Sequence, residues 1–177
     1  MASNKPGEFL GEHLKMLQRG FSLSGYEHNR LYSNDGKGFN DISGLSGADH
    51  VGDGRGTVFW DYDDDGDTDI FVRAMHGPAH LLFRNEVGQR KNFVRVLLEG
   101  RTRGRDAFGA VVRIKTSAGI QTQLKSGGAG FVSSNDPRLL FGLGNDEQAE
   151  WLEVTWPDGR KRRLAGPKAG ATVVLRE

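Results

Sequence analysis

The sequence predicts an all-β protein: a β-hairpin that carries an acidic loop within a partial blade of sheet, then a β-sandwich or barrel-like domain, with one short helix at the N-terminus. Three observations predict it. Glycine contributes 26 of the 177 residues, a content that suits many short strands joined by tight turns. From Arg30 onward the apolar residues come in short or alternating runs bounded by Gly, Asn and Asp, the period of strands and not of helices. Only residues 8–18 place Phe9, Leu10, His13, Leu14 and Leu17 on one helical face.

Taken in order, that helix spans about 11 residues, a length that is marginal alone and needs a surface to pack on. Strands are then predicted at residues 30–32, 38–42, 57–60, 69–73, 81–84, 93–99, 110–116, 120–125, 130–132, 139–141, 151–155, 160–164 and 172–175. Two turns are explicit. Asp35-Gly36 stands between Tyr32 and Phe39, and Asp158-Gly159 between Trp156 and Arg160; both supply a residue that tolerates positive φ, so both predict hairpins. The polar stretch EVGQRK at 86–91 divides the chain into two expected domains, 1–88 and 89–177.

Composition excludes several classes of function. Lys+Arg 24 against Asp+Glu 23 gives a formal net charge of +1, so no global basic field points to nucleic acid. With Cys 0 the chain makes no disulfide, no thiolate zinc site and no cysteine nucleophile. No apolar run approaches the roughly 18 residues of a membrane-spanning helix. The first 20 residues carry charges throughout and lack the apolar core of a secretory leader.

The most informative stretch is DYDDDGDTD at residues 61–69, set between the apolar runs 58–60 and 70–72. Its six carboxylates repel one another, and ordering them without a counterion is costly. A divalent cation resolves the conflict. Ca²⁺ takes six to eight oxygens, and acids at positions 1, 3, 5 and 9 with glycine at 6 wrap one ion. Those positions hold Asp61, Asp63, Asp65 and Asp69, with Gly66 at the bend and Asp67 offering its backbone carbonyl. The opening is that of an EF-hand loop, yet the twelfth position is Val72 in place of a bidentate Glu, and the flanks read as strands. The loop is therefore expected to join two strands.

Together with this loop, LSGYEHNRLYSN at 23–34, Asp53-Gly54-Arg55 and Leu82-Phe83-Arg84-Asn85 resemble the FG-GAP/VCBS repeat part of the cartilage acidic protein family. GRDAFGA at 104–110, GGAGF at 127–131, LFGLG at 140–144 and VTWPDG at 154–159 resemble the ASPIC/UnbV domain that ends such proteins. The resemblance implies a calcium-binding, usually extracytoplasmic, adhesion or interaction protein without general catalytic activity. One departure matters. A propeller needs at least about four blades, and this chain has one metal loop and about one blade of strands, which must be covered by the second domain or by a partner.

Other features have a structural and a functional reading. Arg105-Asp106-Ala107-Phe108-Gly109 is a turn or a ligand site; Gly127-Gly128-Ala129-Gly130 is a tight crossing between strands, lacking the Lys-Ser/Thr and helix of a phosphate loop. Trp151 and Trp156 are core residues, or one of them is a platform for a partner or sugar. Arg101-Arg103-Arg105 and Arg160-Lys161-Arg162-Arg163 are solvated strand faces or docking patches. Gly77-Pro78 keeps His76 and His80 from sharing a helical face. No Ser-His-Asp constellation or paired apolar carboxylates are readable.

The expected function is a noncatalytic calcium-binding interaction or structural protein, an extrinsic subunit docked on a larger assembly, membrane-bound or not, with Asp61, Asp63, Asp65, Asp67 and Asp69 as metal residues. Its partners are proteins, without nucleic acid; any membrane association is peripheral, through partners. The alternative is a carbohydrate-binding or adhesion module that uses calcium and an exposed tryptophan. Calcium and the family resemblance place it outside the cytoplasm, in the periplasm or the extracellular space.

Overall fold

The computed structural model describes residues 11–12, 14–16, 18–19, 27–75, 80–101 and 104–177. Among them are twelve strands: β1 (Tyr32–Asn34), β2 (Phe39–Asp41), β3 (Gly54–Trp60), β4 (Asp69–Ala74), β5 (His80–Phe83), β6 (Asn92–Glu99), β7 (Val111–Thr116), β8 (Gly119–Leu124), β9 (Leu139–Gly144), β10 (Trp151–Thr155), β11 (Lys161–Ala165) and β12 (Thr172–Arg176). A short helix, α1 (Ser43–Ser46), follows β2. The chain forms two compact units, Met1–Thr57 with Phe71–Phe83, and Val58–Ile70 with Arg84–Glu177. The acidic loop thus clusters with the C-terminal strands.

The larger unit is a sandwich. Its four-stranded sheet runs β11-β10-β7-β8, all antiparallel, and its three-stranded sheet runs β12-β6-β9, with β12 parallel and β9 antiparallel to β6. Alternation along each strand decides which side chains are inside. Val112 and Ile114 of β7, Leu152 and Val154 of β10, Val94, Val96 and Leu98 of β6, and Leu139, Phe141 and Leu143 of β9 meet in one buried cluster, closed by Trp156 and Leu175. The β10–β11 hairpin turns at Gly159 with φ +89°, as Asp158-Gly159 predicts.

The smaller unit has no comparable interior. The β1–β2 hairpin turns at Gly36 with φ +82°, and Asp35 Oδ1 accepts the N–H groups of Lys37 and Gly38 at 2.8 Å. All six of its strand residues are exposed. Among the described residues of this unit, the buried apolar side chains are Ala48, Val72 and Ala74. β3, β4 and β5 pair in that order as a three-stranded sheet.

The predominantly β architecture with a short N-terminal helix agrees with expectation. Gly11, Glu12, Leu14, Lys15, Met16 and Gln18 are helical; Phe9, Leu10, His13 and Leu17 lie outside the described residues, as do 23–26, His76 to Pro78 and Arg103. One predicted strand is corrected. Residues 130–132 form a turn because Gly130 (φ +86°) and Val132 (φ +49°) leave the extended region. The unpredicted α1 ends at Gly47 in the left-handed conformation (φ +73°). It begins where Asp41 Oδ1 accepts the N–H and the hydroxyl of Ser43.

Candidate metal centre

β3 ends at Trp60 and β4 begins at Asp69, so the intervening residues must reverse the chain while holding six carboxylates. Gly66 makes the bend with φ +95°; a Cβ there would stand 2.0 Å from the Phe93 ring, so both conformation and space require glycine. Its N–H donates to Asp61 Oδ2 at 3.2 Å. Asp64 also takes positive φ, +62°, a conformation that Asp tolerates better than most residues.

The alternation of acids brings three of them together. Asp61, Asp63 and Asp65 each offer a carboxylate oxygen within 4.8 Å of the others. Asp67 and Asp69 are buried beside them. Asp69 is engaged on both oxygens: Oδ2 accepts the Tyr62 N–H at 3.0 Å and Oδ1 the Asn85 N–H at 2.7 Å. It thereby fastens the two ends of the loop. Asp67 Oδ2 accepts the Gln89 N–H at 3.0 Å. Burial pushes the Asp67 carboxyl up to about 6, against that N–H, and the neighbouring Asp65, Asp69 and Asp61 add to the rise.

Three buried oxygens have no hydrogen-bond donor: Asp61 Oδ1, Asp65 Oδ2 and Asp67 Oδ1. Unpaired buried carboxylate oxygens are costly, and a loop that gathers three of them could hold a metal ion. The donor set consists of hard oxygens only, which fits Ca²⁺ and excludes a thiolate or imidazole metal centre.

Three guanidiniums surround the loop. Arg95, from the middle of β6 and nearly fully buried, donates from Nη2 and Nε to Asp61 Oδ2 at 2.5 and 2.8 Å. Arg138 donates to Asp64 Oδ1 at 2.5 Å, to the Asp61 carbonyl at 3.0 Å and to Asp136 at 2.7 Å. The Arg138 hydrogen bond holds the Asp64 carboxyl below the usual range. Arg84 lies 2.8 Å from Asp63 Oδ2 and 4.0 Å from Asp65 Oδ2. Six carboxylates against three guanidiniums leave an excess of negative charge that a divalent ion would reduce.

Sequence reasoning names the acids and misses these partners. Arg84 lies within the quoted LFRN motif, and Arg95 is the one charge inside the apolar run FVRVLL, a signal that was available. Arg138 reaches the loop from 74 residues away, which no local pattern reveals. Among the other candidates, Trp156 is buried and Trp151 is half-buried with the Arg163 guanidinium 4.2 Å over its ring. Arg160 pairs with Asp158 and Glu177, and Arg163 with Glu153, so much of the second basic cluster is an ion-paired strand face. Among the described residues no helix is long and apolar enough to cross a membrane.

Comparison with known proteins finds two kinds of likeness. Residues 100–177 match the family model described as ASPIC and UnbV. Cartilage acidic protein 1 of Xenopus tropicalis is 40% identical over 114 residues, covering 61% of this chain and 17% of the relative. The proteins of the same name from Homo sapiens and Mus musculus are each 40% identical over 113 residues, covering 62% of this chain and 17% of theirs. The match thus spans 17% of the length of these curated relatives.

Proposed function

We propose that this chain, which is homologous to the cartilage acidic protein family and carries an ASPIC/UnbV domain, is a noncatalytic calcium-binding interaction or structural protein. The observation that carries the reading is the trio of donorless buried oxygens on Asp61, Asp65 and Asp67. Asp61, Asp63 and Asp65 would hold the ion, with Asp67 and Asp69 completing the acidic set. Bound calcium supplies charge neutralisation: it ties the end of β3 to the start of β4 and stiffens the surface they present. At free calcium about 100 times the dissociation constant, linkage adds about 2.7 kcal/mol.

Partner binding is supported by the smaller unit. Tyr32, Phe39 and Leu45 are 53%, 73% and 91% exposed there, while the apolar side chains it buries are small. Such a unit gains stability from a covering protein surface. We read the chain as an extrinsic subunit of a larger assembly, reaching any membrane through partners, and place it outside the cytoplasm, where millimolar calcium fills modest sites. The carbohydrate reading loses support, because Trp156 is buried and Arg163 covers the Trp151 ring.

Terbium luminescence tests the metal reading. Tyr62 lies within the loop and packs edge-on against Trp60, ring centroids 5.5 Å apart, close enough to sensitise a bound lanthanide. Saturable emission that calcium displaces and Asp65→Asn weakens at least tenfold is expected. Emission unchanged by Asp65→Asn would remove the loop as the site.

A further inference from the structure

The larger unit contains a cavity of about 260 Å³ whose walls include Phe59, Trp60, Leu140, Arg138, Asp136 and Lys125. Lys125 is 5% exposed. Its backbone extends the β7–β8 ladder, donating N–H to the Ala110 carbonyl at 2.8 Å and accepting from Gly109 at 2.9 Å, so main-chain bonds fix the point from which the side chain extends. That ammonium has three donors. One is taken by the Pro137 carbonyl, and the Phe108 ring lies 6.0 Å away.

The other cations of the cavity are already matched. Arg95 is paired with Asp61 and Arg138 with Asp136, whereas Lys125 makes no ion pair among the described residues. Burial pulls its pKa below the usual lysine value, against the weaker opposing pull of the Asp106 and Asp136 carboxylates. A buried ammonium with donors to spare, on the wall of a cavity that sets Phe59, Trp60, Leu124, Leu139 and Leu140 beside polar side chains, is the recognition chemistry of an anion with an apolar body.

We propose that this cavity binds a small free organic monocarboxylate, its carboxylate on the Lys125 ammonium and its apolar body against Trp60, Phe59 and Leu140. Two remaining N–H donors suit the two oxygens of one carboxylate, and the volume admits a molecule the size of benzoate. Asp61 and Thr68 of the acidic loop also line the cavity, but the groups proposed to hold the ligand, Lys125, Trp60, Phe59 and Leu140, lie outside that loop, so the site does not rest on the calcium reading.

Benzoate, benzamide and inorganic phosphate serve as probes, with binding read by ligand-observed NMR on the full chain. Saturable benzoate binding at millimolar or lower concentration is expected, with benzamide and phosphate at least tenfold weaker, and with Lys125→Met weakening benzoate at least tenfold. Should Lys125→Met not fold, reductive methylation of the native protein followed by mass spectrometry replaces it: benzoate must slow labelling of Lys125 and leave Lys161 unchanged. Equal binding of benzoate and benzamide, undiminished binding to a folded Lys125→Met, unaltered labelling of Lys125, or no saturable benzoate binding overturns the proposal. A peptide ending in phenylalanine that binds more tightly than benzoate overturns it too, by moving the site to a partner's chain terminus.

Discussion

Arg95 sits in an otherwise apolar strand with its guanidinium against Asp61, and both side chains are almost wholly buried, at 8% and 2% exposure. Removing one member of such a pair leaves an uncompensated charge, at a cost of about 3–5 kcal/mol. Arg95→Met is therefore expected to destabilise the chelator-treated protein by about that amount in urea unfolding. Calcium should recover part of the loss, since the ion supplies Asp61 with positive charge; a loss identical with and without calcium would separate Asp61 from the metal. Gly66 makes a second residue-scale case. Gly66→Ala meets both the positive φ and the Phe93 ring, so a loss of about 1–3 kcal/mol from backbone strain alone, with no remaining calcium response, is expected in the same assay.

At the scale of elements, the two sheets of the sandwich leave β8 and β9 as edges, and side chains close the gap. Gln121 Nε2 donates to the Gly142 carbonyl at 2.6 Å and Gln123 Nε2 to the Leu140 carbonyl at 2.5 Å. These amides satisfy edge carbonyls that would otherwise invite another strand. Replacing both by alanine is expected to cost about 1–3 kcal/mol, measured by denaturant unfolding. On the opposite edge, β11 exposes Lys161, Arg162 and Arg163, a charged border of the same purpose. Element identity was legible because the short or alternating runs carried their turn residues with them. The failure at 130–132 came from Phe131-Val132, an apolar pair without partners that is bent by its flanking glycine. The acidic loop was legible from spacing alone, whereas its guanidinium partners required the register that puts Arg95 and Arg138 beside it.

For the whole molecule, the asymmetry between the two units sets the stability profile. The cluster built from β6, β7, β9 and β10 supplies most of the buried apolar area, while β1 and β2 expose every residue. Amide hydrogen exchange is expected to find the slowest protons in β6, β7 and β10 and near-free rates in β1 and β2 of the isolated chain. Equal protection of both units would contradict this account. A partner that covers the smaller unit would be detected as slowed exchange at Tyr32 to Asp41.

If the acidic loop is a structural calcium site, the folded chain gains stability when calcium binds. The most direct measurement is the thermal midpoint of the purified chain in chelator and in millimolar calcium, repeated on Asp63→Asn. Asp63 gives the cleanest comparison, because it belongs to the trio of converging carboxylates and is the least enclosed of them. A rise of several degrees with calcium is expected in the native protein, and little or none in the variant. A native midpoint indifferent to calcium, or a variant that responds as fully as the native chain, would contradict it.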